Sequence, residues 1–260
     1  MASGRKALLA TRLEHIVAET DEAHAGLVWV TLNRPEVRNG LSFELVAELH
    51  AVLDELAGPS RETARVVILS GAGKGFCAGA NLKSLMSKVA DYQLEDQRTM
   101  SRLILKIRAA PQIFIAAIHG GAAGAGLSLA LACDVRVAAK DLKMNCAFVL
   151  LGLSGAEMGC SFFLPKLVGP ATASEMMLTG RFMHADEAAA RGLVTKVLAD
   201  REAALAEAQS RNQRQRFGGA SLAAAIAMED RQQVLCLKDD DCLRVGIKYA
   251  ARFLGPSSKL

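Results

Sequence analysis

Two short stretches constrain this chain more than any others. Phe76-Cys77-Ala78-Gly79-Ala80-Asn81-Leu82 and Gly120-Gly121-Ala122-Ala123-Gly124-Ala125-Gly126-Leu127-Ser128 each follow a buried-strand pattern, at residues 65–70 and 113–118. Each then opens a helical pattern, so each is a strand–glycine-loop–helix junction. A helix start leaves backbone N–H groups without intrahelical acceptors. Two such donors aimed at one point make an oxyanion hole, and small residues let a substrate come close to the backbone. The competing explanation is tight packing between neighbouring turns. A nucleotide-binding reading fails on spacing. Gly71-Ala72-Gly73-Lys74-Gly75 lacks the G-x-x-x-x-G-K-[ST] pattern of a phosphate loop. Gly121, Gly124 and Gly126 do not give G-x-G-x-x-G, and no acidic residue closes a second strand about 20 positions on, as a dinucleotide fold needs.

Periodicity fills in the chain around the junctions. Residues 13–18 and 27–32 read as strands with a polar turn at Asp21-Glu22-Ala23-His24. Pro35 makes residues 33–36 a loop. Ser42 is placed as the N-cap of a helix to about Leu56, whose Leu45, Leu49, Val52, Leu53 and Leu56 form an apolar stripe. A further helix is expected over residues 95–108, a small-residue helix over 125–132 and a strand over 134–138. Helical patterns follow at 170–179 and 185–191, then from about residue 201 to the end. Strands therefore crowd the first part of the chain and helices the rest, which predicts an α/β fold.

Composition narrows the function classes. A chain of 260 residues with 51% hydrophobic content supports a full core and excludes disorder as the main state. A net charge of +4, without a dense Lys/Arg block, gives no electrostatic footprint for nucleic acid. The six cysteines (Cys77, Cys133, Cys146, Cys160, Cys236 and Cys242) form no C-x-x-C pair and have no accompanying His cluster, so no metal is expected and the thiols are expected reduced and buried. The uncharged stretch 109–133 contains Pro111, Gln112, His119 and four glycines. It reads as strand, loop and buried helix rather than a membrane span. His119 is expected to be packed and bonded to the backbone, and Cys77 to be filler. The chain ends in Ser258-Lys259-Leu260, the address read by the peroxisomal import receptor, so a peroxisomal location is expected.

Several ordered motifs now resemble one family. VWVTLNRPEVRN at 28–39, VVILSGAGKGFCAGANL at 66–82 and IAAIHGGAAGAGLSLALACDV at 115–135 match the crotonase, or enoyl-CoA hydratase/isomerase, family. So do residues 152–169, Met177-Leu178-Thr179-Gly180-Arg181 and residues 185–197. The resemblance covers about residues 10–200. It implies a spiral of β-β-α turns over residues 1–200, followed by a helical region over 201–260 used for homotrimer or hexamer contacts. It implies an acyl-CoA thioester as substrate, with coenzyme A as part of that substrate and no separate cofactor.

The resemblance also implies a site. The two oxyanion donors would be the N–H groups of Ala80 and Ala125. The adenosine end of coenzyme A would lie near Val37, Arg38, Ala78, Asn81 and Leu82, with Asn81 standing where the family commonly has Asp. Hydratases of the family use two glutamates, and those positions here read Ser128 and Phe148, which the resemblance places among the substrate-binding residues, so ordinary hydration loses its acid–base pair. Of the acids between residues 109 and 165, Asp134 reads as a structural cap, Asp141 as solvated, and Glu157 stands between two apolar runs. This stretch is similar to peroxisomal 3,2-enoyl-CoA isomerases, whose base is a Glu in a turn before a helix. Glu157 matches that Glu when counted back from Phe163-Leu164-Pro165-Lys166 and is displaced by one when counted forward from Gly152. The alternative is that Glu157 only caps the next helix. The expected activity is the shift of a 3-enoyl-CoA double bond to trans-2-enoyl-CoA. The alternatives are a hydratase or other family reaction with a base such as Glu95 or Asp96, and an acyl-CoA-binding member without turnover.

Overall fold

A computed structural model of the chain describes residues 4–211. The strands in chain order are β1 (Arg5–Ala7), β2 (Ile16–Asp21), β3 (Leu27–Leu32), β4 (Val66–Gly71), β5 (Ile113–Ile118), β6 (Gly121–Ala123), β7 (Val135–Ala139), β8 (Lys143–Asn145), β9 (Met183–His184) and β10 (Lys196–Leu198). The helices are α1 (Phe43–Ala57), α2 (Leu82–Lys88), α3 (Leu94–Ala109), α4 (Ala125–Ala132), α5 (Cys160–Val168), α6 (Pro170–Thr179), α7 (Ala185–Ala190) and α8 (Arg201–Ser210). Seven strands form one sheet in the order β1-β2-β3-β4-β5-β7-β10, and β6-β8-β9 form a second. The run from β3 to β10 is parallel, while β1, β2 and β3 pair antiparallel.

The chain repeats one manoeuvre. It leaves a strand of the large sheet, touches a second, short ladder, and turns into a helix. The touching points are the parallel bridges Leu41↔Ala80 and Cys77↔Ala122, and the pairings of β6 with β8 and β8 with β9. This is the spiral of β-β-α turns expected from the family resemblance, followed by the packed helices α5, α6, α7 and α8.

Side-chain alternation explains why the large sheet is covered on both faces. Val28, Val30 and Leu32 of β3, with Val67 and Leu69 of β4, join the core that includes Leu45 and Leu49 of α1 and Leu103 of α3. Leu27 and Trp29, with Val66 and Ile68, point to the opposite face and pack with Leu205 and Ala208 of α8. Strands buried on both sides read as continuous apolar runs, which is why β4 and β5 stand out in the sequence. The stripe on α1 is buried as its spacing predicts, and Ser42 Oγ accepts the Leu45 N–H at 3.4 Å as its cap. Because α8 lies on the sheet, the β/α core runs past residue 200 to at least Ser210, beyond the expected boundary.

β10 was not expected, because Lys196-Val197-Leu198 is too short to show a period. It adds to β7 as an edge strand. β6, β8 and β9 escaped for the same reason, since each has three residues or fewer. Among the described residues no helix is long and apolar enough to cross a membrane. Cys236, Cys242, the expected helices beyond residue 211, the subunit-contact region and Ser258-Lys259-Leu260 lie outside the described residues.

Candidate active site

The two glycine junctions meet face to face. The segment 77–80 lies between Leu41 on one side and Ala122 on the other. Leu41 donates its N–H to Gly79 O (2.8 Å) and accepts from Asn81 N (2.9 Å). In a parallel ladder the intervening residue turns its own polar groups the other way. The Ala80 N–H therefore points away from Leu41 and toward the second junction, and among the described residues it has no backbone acceptor. Ala125 is the first residue of α4, so its N–H has no intrahelical acceptor either. A Cβ on Gly79 would stand 3.4 Å from the Ala125 nitrogen, which makes the two donors neighbours.

That closeness depends on glycine. A Cβ on Gly126 would sit 2.2 Å from Cys77 O, and one on Gly79 would sit 2.7 Å from Ala123 O, so these two backbones touch where any side chain would hold them apart. All eight residues of α4 are buried, and its cap Gly124 offers no side chain to the first N–H groups. The helix start therefore keeps its partial positive charge for whatever enters from the open side. Tight packing of the turns is what brings the two N–H groups side by side.

The remaining expected residues fall around this point. Val37 and Arg38 form an exposed loop beside the first junction, tied to it by Ala78 N to Arg38 O at 3.0 Å. Ala78 and Leu82 are exposed on the same edge. Asn81 Oδ1 accepts the Ser84 N–H at 3.0 Å, so Asn81 caps α2. Phe148 is buried, and a Cβ on Gly124 would come 3.5 Å from its ring, so the ring lies against the start of α4. Ser128, fully buried one turn into α4, donates its hydroxyl to the backbone oxygen of Glu157 at 2.9 Å.

Glu157 is half-buried just before α5. That helix is capped by Gly159 with no side-chain cap bond, so the Glu157 carboxylate is not spent as a cap. Among the described residues it forms no hydrogen bond or ion pair. Tyr92 stands close enough to feel its charge: burial, then Glu157 and Asp96, raise the Tyr92 phenol above its ordinary pKa. Tyr92 donates to Gln97 Oε1 at 2.8 Å. No sequence signal pointed to Tyr92, because it lies in an irregular stretch ahead of α3.

The other acids are committed elsewhere. Glu95 pairs with Arg98 and Arg102. Asp96 bonds Lys88, which holds its carboxyl below the usual range, and also accepts the Gln93 N–H at 2.8 Å. Asp134 holds Arg108 at 2.8 Å and Phe114 N at 2.8 Å, a structural role as expected. Asp141 is exposed, as expected, and in addition accepts the Gly120 N–H at 3.0 Å, which pins the second junction. The four described cysteines are free and buried. Burial pushes the Cys77 thiol up to about 12, so it is no nucleophile. His119 bonds Gly73 O at 2.9 Å, and burial lowers its pKa, so it is neutral and structural.

Asn39 is a buried residue that the sequence reading passed over. Its amide nitrogen reaches Ala72 O (2.9 Å), Gly75 O (2.9 Å) and Phe76 O (3.1 Å), while its oxygen accepts Arg34 N at 2.9 Å. It locks the loop carrying Val37 and Arg38 to the first junction. Only a fold that brings residues 39 and 76 together reveals this.

Comparison with known proteins decides the family. The enoyl-CoA hydratase/isomerase profile matches residues 22–234. The chain belongs to the enoyl-CoA hydratase/isomerase family. It is 38% identical over 180 residues to a protein named as a probable enoyl-CoA hydratase of Mycobacterium bovis, a match spanning 66% of this chain and 62% of that relative. The chain thus spans less than two thirds of the length of that relative. Among solved structures, an enoyl-CoA hydratase of Bacillus anthracis superposes with a TM-score of 0.75 at 29% identity, covering 92% of this chain and 97% of the other. A monofunctional enoyl-CoA isomerase of M. smegmatis superposes with a TM-score of 0.63 at 32% identity, covering 88% and 97%. Both hydratase and isomerase names therefore occur among the relatives of this family member.

Proposed function

We propose that this chain is an acyl-CoA isomerase that moves a double bond from C3 to C2 of an enoyl thioester. The observation that carries the reading is the inventory of carboxylates. Ser128 and Phe148 occupy the positions matched to the two glutamates of hydratases. Glu157 is a half-buried carboxylate beside the junctions, and no described residue bonds it.

In this mechanism the thioester oxygen accepts the N–H groups of Ala80 and Ala125. Those donors stabilise the negative charge that appears when a C2 proton leaves. Glu157 takes the proton, and the electron pair of the C2–H bond delocalises through the carbonyl and the C3–C4 double bond as a dienolate. Glu157 then returns the proton to C4, the C2–C3 double bond forms and the thioester is restored. One carboxylate suffices because it both takes and gives the proton. Hydration needs a second group to orient and activate water. Coenzyme A enters as part of the substrate, with Val37, Arg38, Ala78, Asn81 and Leu82 along its path. No cofactor or metal takes part in these steps.

The second reading is hydration, favoured by the hydratase names of relatives, with Tyr92, whose phenol feels the Glu157 charge, as the second polar group. A paired assay separates the two: 3-hexenoyl-CoA for isomerisation and crotonyl-CoA for hydration, both followed by ultraviolet absorbance. Isomerisation without hydration is expected. Glu157→Gln should lower the isomerisation rate roughly 100- to 10,000-fold, the contribution of a general base. Full activity in that variant sinks the base assignment, and hydration of crotonyl-CoA sinks the isomerase reading. A chain that binds acyl-CoA and turns over neither substrate is the non-catalytic alternative. Assembly into homotrimers or hexamers, and import through Ser258-Lys259-Leu260, belong to the same proposal. Sedimentation tests the first, and a fluorescent fusion with and without the tripeptide tests the second.

A further inference from the structure

We propose that Ser128 is a positioning residue that sets the stance of Glu157 relative to the two N–H donors. The proposal rests on Glu157 being the base. Its observation is the hydrogen bond from Ser128 Oγ to the Glu157 backbone oxygen at 2.9 Å. Ser128 lies on α4, the same helix whose first residue, Ala125, offers a donor. One rigid, fully buried helix therefore carries a donor at its start and, three residues on, the tie to the residue that bears the base.

The segment that holds Glu157 needs such a tie. Residues 151–154 are exposed. Its two ends are brought together at the buried thiols of Cys146 and Cys160, whose sulfurs lie 3.7 Å apart. After Glu157 the backbone passes through two left-handed residues, Met158 (φ 49°) and Gly159 (φ 79°), so the turn into α5 is set locally. Neither feature fixes the distance from Glu157 to α4. Among the described residues, Ser128 Oγ to Glu157 O is the hydrogen bond that joins α4 to residues 147–159.

The bond is also directed against local preference. A serine inside a helix commonly turns its hydroxyl back to the carbonyl four residues earlier. Ser128 sends it across to another element instead. A carboxylate at the same position cannot donate such a bond. Serine at this point therefore changes what the helix supplies: it holds a reactive group in place of presenting one.

The test is a cycle of Ser128→Ala, Glu157→Gln and the double variant of the full chain. Removing the hydroxyl leaves Glu157 O still bonded by Cys160 N at 3.0 Å, so no buried acceptor is orphaned and the fold is kept. Isomerisation of 3-hexenoyl-CoA is measured in single turnover with enzyme in excess, and binding of the unreactive hexanoyl-CoA by calorimetry. Ser128→Ala should lower the chemical rate roughly 10- to 100-fold, the scale of a small misplacement of a reacting group, with hexanoyl-CoA affinity changed less than about twofold. In the Glu157→Gln background the serine change should then cost nothing further, because its effect runs through the carboxylate. Losses that multiply, an unchanged rate in Ser128→Ala, or an equal loss of hexanoyl-CoA affinity each overturn the strut. Full activity in Glu157→Gln overturns the base assignment itself, and the strut falls with it.

Discussion

The contact between the two glycine junctions makes a sharp prediction through Gly126→Ala. The new Cβ would stand 2.2 Å from Cys77 O and 2.8 Å from Cys77 Cβ, where ordinary contact begins at 3.4 Å. Backbone atoms line the close side, so a rotamer change cannot relieve it. The junctions must part by about 1.2 Å, the gap between 2.2 and 3.4 Å. Oxyanion donors work at about 2.7–3.1 Å, so such a shift withdraws one of them. Losing one donor costs ~2.7–4 kcal/mol in the transition state, or roughly 100- to 1,000-fold in rate. Stability changes less. Alanine gains ~1 kcal/mol over glycine in a helix, against ~1–3 kcal/mol of overpacking. The variant should therefore stay folded, with a melting temperature lowered by ~0–8 °C for a chain of this size. Gly121→Ala is the control, since nothing lies within 4 Å of its Cβ position. The assays are the isomerisation rate and the carbonyl 13C shift of bound, thioester-labelled hexanoyl-CoA, which reports polarisation whatever the reaction proves to be. A folded Gly126→Ala protein with full rate and an unchanged carbonyl shift would falsify the claim that this contact builds the hole.

Two further predictions concern the frame of the site. Asn39→Ala strands the buried carbonyls of Gly75 and Phe76, the part-buried carbonyl of Ala72 and the Arg34 N–H, and it puts alanine at φ 55°. At ~1–3 kcal/mol per lost partner, urea unfolding should show at least ~3 kcal/mol of destabilisation, and a change below ~1 kcal/mol refutes the hub role. The Cys77 thiol, raised by burial from 9.0 to about 12, stays protonated in the fold. Its contribution is complete below pH 9 and is lost as pH climbs from 9 toward 12, at up to ~1.4 kcal/mol per pH unit, because the unfolded chain gives up the proton first. Cys77→Ala should remove that share of the alkaline slope, and an identical slope in the two proteins counts against it.

The parts of this molecule legible in sequence are those whose physics is local and periodic. The run 113–118 is apolar throughout because both of its faces are covered, and β5 has the expected limits. The small-residue run 125–132 is α4, buried on all sides. Ser42 before a stripe at three- and four-residue spacing is a cap before a helix. Other features became visible only in three dimensions. Strands of two or three residues carry no period, and Lys196-Val197-Leu198 is a strand because β7 has an open edge. The role of Asn39 comes from carbonyls more than thirty residues away. Asp141 is solvated as its neighbour Lys140 suggests, but its bond back to Gly120 is invisible in the sequence. The positions of Ala80 and Ala125 could be named from motifs. Why their N–H groups come side by side could not, since that depends on which glycine meets which carbonyl.

The same distinction explains how one fold supports more than one acid–base arrangement. The donors at Ala80 and Ala125 are backbone groups, fixed by glycine contacts and by a helix buried on every side. Substitution of side chains on the rim leaves them in place. The carboxylate, by contrast, is a side chain on an irregular segment, and among the described residues the hydrogen bond that ties that segment to α4 is made by one hydroxyl. On the proposed mechanism the enolate-stabilising half of the chemistry is therefore robust to sequence change and the proton-transferring half is not. In the proposed mechanism a serine at residue 128 and a phenylalanine at residue 148 move the burden of proton transfer to Glu157 without touching the two N–H donors. Changes in reaction type should accordingly follow from substitutions at residues 128, 148 and 157, whereas loss of thioester polarisation should require a change at Gly79 or Gly126. Carbonyl 13C shifts measured across both sets of variants separate these classes, and a carbonyl shift that moves with Glu157→Gln as much as with Gly126→Ala defeats the separation.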